Sequence, residues 1–279
     1  MTAAWSVSDV AECSSGFMDP LLVLADDHSD GASTAWEWVC AQGWPGWSAE
    51  ILTVDPGTEL GQQAPEPSEW EPAVRRVPYL TTALTDVRHI RAWGDPRVVL
   101  AAVDADLLVI GPRGAGFAKK LHLGSVAEWL LDCPRTPTII AKQARPVERV
   151  ALAVDGSPHA RAAAETLLTF PWLKRSHVDI IAVETGDGYA AAGAEEARDL
   201  LRPGCASVNA KVVRPYEWDL TINVRGELMN ALSRVPYDLL ALGTRGLQGW
   251  ERLRIGSTAD YLAHHVDCSV LLTRCANPV

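Results

Sequence analysis

The chain repeats itself, and that repeat limits its fold more than any other feature. Residues 106–125 read DLLVIGPRGAGFAKKLHLGS, and residues 238–257 read DLLALGTRGLQGWERLRIGS. The two blocks align without a gap, so Gly111, Gly114, Gly124 and Ser125 match Gly243, Gly246, Gly256 and Ser257. A second pair lies upstream, where LLVLADDHSDGASTAWEW (21–38) resembles VALAVDGSPHARAAAETL (150–167). Aligning Asp27 with Asp155 also aligns Ser29 with Ser157, although a shift of one residue would put Asp26 there instead. Two blocks repeated in the same order predict two homologous domains, 1–145 and 146–279, joined near QARPVER (143–149).

Each half alternates apolar strands with helices. LLVLAD (21–26), EILTV (50–54), DLLVIG (106–111) and TPTIIA (136–141) read as strands in the first half. Its third strand is placed at Pro78–Asp86, and helices at 32–41, 95–103 and 125–133. The second half follows with strands VALAVD, VDIIAV, VNAKVV, DLLALG and SVLLTR and helices at 158–168, 194–202, 223–234 and 257–266. Strands that are apolar along their whole length belong in a parallel sheet covered on both faces. The fold class is therefore α/β, two tandem doubly wound domains, with ligands expected at the carboxyl ends of the strands. Residues 56–75, rich in Pro, Glu, Gln and Gly, read as a solvated loop.

Both glycine blocks begin where a strand ends. Gly-x-x-Gly lets backbone turn close to a ligand, and Gly-Ser then opens a helix whose free N–H groups favour phosphate. Arg113, Lys119 and Lys120 in one loop, and Arg245, Arg252 and Arg254 in the other, supply positive charge. A bland reading competes: Ser125 with Glu128, and Ser257 with Asp260, have capping-box spacing and would serve a helix without any ligand.

The combination of an apolar-Asp-Gly-Ser turn with G-x2-G-x9-G-(S/T) resembles the universal stress protein family, in both halves. That resemblance implies a five-stranded parallel sheet of order 3-2-1-4-5 and, in many members, bound ATP. It implies a nucleotide contact for Asp155, Gly156, Ser157, Val183, Gly243, Arg245, Gly246, Gly256, Ser257 and Thr258. In the first half Asp27, Val54, Gly111, Arg113, Gly114, Gly124 and Ser125 take the same places. The first half departs from the pattern with His28 where glycine is usual, so its ring is expected to crowd the base or ribose pocket.

Other chemistry has little support. The net charge of −10 argues against a general nucleic-acid binder. No apolar run reaches the ~18 residues of a membrane span, and no export signal is visible, so a cytoplasmic protein is expected. The six cysteines form no CxxC pair and are expected to be buried free thiols, with no metal site. Neither HExxH, GxSxG nor a Walker lysine loop is present. The eleven tryptophans are read chiefly as core, with burial against the partner half or a second chain as the alternative, and Trp250, inside the second glycine loop, is read as a candidate neighbour of the nucleotide.

The functional expectation is an ATP-binding regulatory protein, the nucleotide with or without Mg²⁺. No general base marks the loop for fast hydrolysis. A nucleotide-free scaffold for protein partners is the alternative, and an adenylating enzyme a weaker one. Pairing of TPTIIA with SVLLTR would make an intrachain pseudo-dimer, and two chains could join as a homodimer.

Overall fold

The computed structural model describes residues 4–5, 19–55, 84–114, 123–132, 135–186, 188–214, 223–244 and 255–275. The chain forms two compact units, Met1–Leu130 with Ile140–Ala144, and Leu131–Ile139 with Arg145–Val279.

The first half runs β1 (Ala4–Trp5), β2 (Leu21–Ala25), α1 (Asp30–Ala41), β3 (Ser48–Asp55), β4 (Asp86–Trp93), α2 (Pro96–Ala101), β5 (Leu107–Ile110), α3 (Ser125–Asp132) and β6 (Thr138–Ile140). Its strand order is β1-β4-β3-β2-β5-β6. The second half runs β7 (Arg149–Val154), α4 (Pro158–Thr169), a 3₁₀ turn (Pro171–Arg175), β8 (His177–Val183), α5 (Tyr189–Leu201), β9 (Ser207–Val213), α6 (Val224–Ser233), β10 (Leu239–Gly243), α7 (Ser257–His265) and β11 (Ser269–Thr273). Its order is β9-β8-β7-β10-β11, with every neighbouring pair parallel. Both halves thus have the expected α/β order 3-2-1-4-5, with the chain reversing direction across the sheet between β2 and β5 and between β7 and β10. The first-half sheet has β1 as an added edge, in register with Arg91 and Ala92 of β4.

The central strands are buried on both faces. Leu22 and Leu24 of β2, Val150 and Leu152 of β7, and Leu240 and Leu242 of β10 are almost wholly excluded from water. The DLL aspartates have a structural task. Asp106 Oδ2 accepts the Leu21 N–H at 2.8 Å, and Asp238 Oδ2 accepts the Arg149 N–H at 2.8 Å. Each one ties the start of the fourth strand to the start of the first.

The structure corrects the sequence reading in several places. The third strand of the first half is Asp86–Trp93, later than expected; residues 78–83 lie outside the described residues, as do 56–75. DVRHIRAW carries three basic side chains, which hid a strand that is buried only over its carboxyl half. The four described cysteines, Cys40, Cys205, Cys268 and Cys275, are free, but only Cys268 is buried. Trp36, Trp38, Trp44, Trp47 and Trp172 are core residues, whereas Trp129 is exposed. No described helix is long and apolar enough to cross a membrane.

Candidate nucleotide site

The turn after the first strand is built alike in both halves. Ser157 N–H donates to Asp155 Oδ1 at 3.0 Å, and Ser157 Oγ accepts the Ala160 N–H at 3.2 Å to cap α4. Ser29 N–H donates to Asp27 Oδ1 at 3.1 Å, and Ser29 Oγ accepts the Ala32 N–H at 3.1 Å to cap α1. These matching bonds resolve the ambiguity: Asp27, not Asp26, corresponds to Asp155. Ser157 is only 2% exposed, so its hydroxyl is committed to the helix rather than presented to a ligand.

The residue between aspartate and serine is left-handed in both halves, Gly156 at φ +80 and His28 at φ +62. Glycine adopts this conformation freely and histidine at a cost. The His28 ring leans towards Asp26, with Nδ1 3.7 Å from Oδ2. The ring is thus directed to the buried Asp26 carboxylate at the end of its own strand.

Asp26 anchors a polar layer in this half. It is 2% exposed, and its oxygens accept the His28 N–H at 2.9 Å and the Trp36 indole N–H at 2.8 Å. Beside it, Thr53 Oγ1 bonds His89 Nε2 at 3.0 Å, and Arg91 pairs with Asp55 and stacks over Trp93. Burial holds His89 below the usual imidazole value; the Asp26 carboxylate opposes this, while His28 and Arg91 add to it.

The fourth strand of each half ends on a glycine pressed against the helix that follows the first strand. A Cβ on Gly243 would lie 2.5 Å from the His159 carbonyl carbon and 2.7 Å from the Ala160 nitrogen. A Cβ on Gly111 would overlap the Gly31 carbonyl group. The first glycine of each block is therefore brought against the start of the helix that follows the aspartate turn. In the first half the contact extends to Gly114, where a Cβ would overlap Asp27 Oδ2, and to Arg113, whose carbonyl accepts from Ser29 Oγ at 3.3 Å.

Capping at the loop's end differs from the sequence expectation. Ser257 is the first residue of α7; Gly256 occupies the cap position, and no side chain bonds there. Gly256 O accepts the Asp260 N–H at 3.0 Å, and Gly124 O accepts the Glu128 N–H at 2.9 Å. Neither serine is the cap residue of a capping box. The opening turn of α7, with exposed Ser257 and half-buried Thr258, thus presents backbone N–H groups that no side chain caps.

Thr244 stands next to this turn. Its N–H donates to Thr273 O at 2.8 Å, and its carbonyl accepts from the Gly256 N–H. It is 2% exposed, and its Oγ1 is a buried polar atom without a hydrogen-bond partner. Sequence reasoning missed Thr244, because it fills a variable position of the motif. Val183 is buried at the end of β8, while Val54 is half-buried near the end of β3. Arg245 and Gly246 lie outside the described residues, as do Lys119, Lys120, Trp250, Arg252 and Arg254.

The fold defines a doubly wound α/β protein whose α7 opens behind a glycine with no side-chain cap. Residues 146–274 match the model of the universal stress protein family. A universal stress protein of Synechocystis sp. is 37% identical over 80 residues, which is 28% of this chain and 51% of that protein. The chain thus spans about half the length of the curated relative it matches. Among solved structures, a universal stress protein from Archaeoglobus fulgidus superposes with a TM-score of 0.66 at 19% identity, over 92% of this chain and 99% of that one. A functionally unknown protein from Pseudomonas aeruginosa superposes with a TM-score of 0.59 at 14% identity, over 92% and 93%. These two similarities establish the fold across both halves.

Proposed function

We propose that the chain is a tandem universal stress protein, with domains 1–145 and 146–279, and that its second half binds ATP as a regulatory ligand. The observation that carries this reading is the pairing of a glycine-capped α7 with the orphaned Thr244 hydroxyl. A buried hydroxyl without a partner costs about 1–3 kcal/mol. A phosphate oxygen at the helix start would satisfy it while accepting the free N–H groups. Asp155, which follows β7, would suit a ribose hydroxyl, and Val183 at the end of β8 would supply an apolar edge for a base. Gly246 and Arg245 complete the loop in sequence, the arginine balancing phosphate charge. Mg²⁺ would arrive with the triphosphate and neutralise part of that charge.

ATP affinity, measured by equilibrium dialysis on the wild type and on Gly246→Glu, tests the reading. The substitution places a side chain and a negative charge at the loop, and binding is expected to fall below detection while the thermal melt without ATP persists. Saturating wild-type protein at 100 times Kd should raise its stability by about 2.7 kcal/mol. No ATP binding by the wild type would overturn the proposal in favour of a nucleotide-free scaffold. Equal affinity in a folded Gly246→Glu would overturn the loop assignment.

A further inference from the structure

The segment after β8 carries an aromatic residue to the aspartate turn of the second half. Glu184 follows Val183, and its Oε1 accepts the Gly186 N–H at 2.9 Å and the Gly188 N–H at 3.2 Å. Gly186 at φ +95 and Gly188 at φ +77 take the left-handed conformation that glycine adopts freely, and α5 then starts at Tyr189. This start presses on the turn. A Cβ on Gly156 would lie 2.8 Å from the Tyr189 carbonyl oxygen and 3.4 Å from the Tyr189 Cβ. A Cβ on Gly193, one helical turn further, would lie 2.6 Å from the Gly156 Cα. Backbone meets backbone here, so the place of Tyr189 beside Asp155 and Gly156 is fixed by main-chain packing.

Burial in the core does not account for the side chain itself. The buried face of α5 is made by Ala190, Ala194, Ala197 and Leu201. Tyr189 is 59% exposed, one of the large side chains with an apolar body that stand in water among the described residues. Asp155 is half-buried and Gly156 exposed, so the turn that Tyr189 adjoins is itself reachable from solvent.

We infer that Tyr189 determines base specificity in the second half: its ring stacks on the base of the bound nucleotide and favours a purine over a pyrimidine. This rests on the reading of the second half as an ATP site. Asp155, assigned to the ribose, is joined to Gly156, against which the Tyr189 backbone packs. Val183, assigned to the base, is joined to Glu184, whose carboxylate holds the two glycines before Tyr189. The aromatic residue thus stands where the ribose and base assignments meet. A tyrosine offers a large flat face at the cost of ordering only two side-chain torsions. Stacking needs no hydrogen-bond readout, and a two-ring base gives it more area than a one-ring base.

The test measures Kd for ATP and for CTP by equilibrium dialysis on wild type, Tyr189→Ala and Tyr189→Phe. Wild type is expected to bind ATP more tightly than CTP. Tyr189→Ala should raise the Kd for ATP about tenfold and that for CTP by less, so that the preference for ATP narrows. Its thermal melt should match wild type, because the side chain is largely in water. Tyr189→Phe keeps the ring and should keep both affinities. A merely structural role at the start of α5 would weaken both nucleotides by the same factor, so the ATP-to-CTP ratio separates the two roles. Four results would each overturn the inference and leave the ATP site standing: no preference for ATP in the wild type, unchanged ATP affinity in Tyr189→Ala, equal losses for the two nucleotides, or a Tyr189→Phe that behaves as alanine. No ATP binding by the wild type would overturn the proposed function, and this inference with it.

Discussion

The two halves share a strand order and a pair of serine caps, yet the layer at the carboxyl end of the sheet is opposite in character. In the first half Asp26 follows β2 alongside Thr53 and Arg91, which face each other in register. At the same three places the second half has Val154, Ala182 and Val212, also in register. One half has a buried polar network, the other an apolar layer on the same backbone. A parallel sheet needs only that buried groups be satisfied, so a repeat can keep its backbone while its side chains diverge. The apolar version tolerates losing a contact. The polar one binds each member to its partners.

That contrast breaks most sharply at Asp26. Asp26→Ala would leave the Trp36 indole N–H and the His28 N–H without acceptors in a buried layer, costing about 3 kcal/mol. Val154→Ala removes only two methyl groups from the equivalent place, at a cost of about 1–2 kcal/mol. Urea unfolding followed separately in each half would check this, and equal losses would show that the polar layer is no more demanding than the apolar one. Converting both partners, Asp26→Val with Trp36→Phe, should recover most of the loss.

A second contrast lies mid-strand. Glu50 in β3 and Asp179 in β8 occupy the same register position, opposite Arg88 and Asn209. Asp179 accepts from the Tyr237 hydroxyl at 3.0 Å and from Asn209 at 3.3 Å, and burial next to this carboxylate pushes the Tyr237 phenol well up. Glu50 is 6% exposed, and its Oε1 has no hydrogen-bond partner. Burial raises its carboxyl above the usual range, with Arg88 only partly opposing. A raised carboxyl pKa in the folded state means that stability is lost as pH climbs through it. Glu50→Gln should therefore stabilise the first half by about 1 kcal/mol at neutral pH and by nothing below about pH 4. A benefit that persists at pH 4 would mean that ionisation is not the cause. Asp179→Asn should destabilise, because its partners are arranged for a carboxylate.

Much of this was legible because the repeat is written in glycines and aspartates that the backbone requires. Gly111 and Gly243 mark a strand end pressed on a helix, and Asp106 and Asp238 mark the tie between first and fourth strands. What stayed hidden depends on register. Nothing in DVRHIRAW announces that His89 and Arg91 turn inward to meet Thr53 and Asp55 from another strand. Thr244 and His159 were invisible for a related reason: each fills a variable position, and its place is set by β10, β11 and α4 converging. The capping roles were also hidden from the sequence: Ser157 caps its helix, whereas the capping-box spacing of Ser257 with Asp260 is not used, because Gly256 takes the cap position.

The smallest effect separates the two left-handed turns. His28 holds φ +62 at a cost of about 1 kcal/mol relative to glycine. Glycine in its place adds freedom to the unfolded chain, worth somewhat less than that. The ring also contributes its 3.7 Å approach to Asp26, a partly exposed contact of small value. His28→Gly should therefore shift first-half stability by no more than about 0.5 kcal/mol, in the stabilising direction. The reverse change is not its mirror image. A Cβ on Gly156 would lie 2.8 Å from the Tyr189 carbonyl oxygen at the start of α5, besides being strained at φ +80. Gly156→His should cost about 2 kcal/mol or more, since backbone on another helix must move. If the two substitutions proved equal and opposite in thermal melts, conformation alone would govern the turn. An asymmetric result would show that the space around it, set in the second half by α5, has diverged along with the layer beneath.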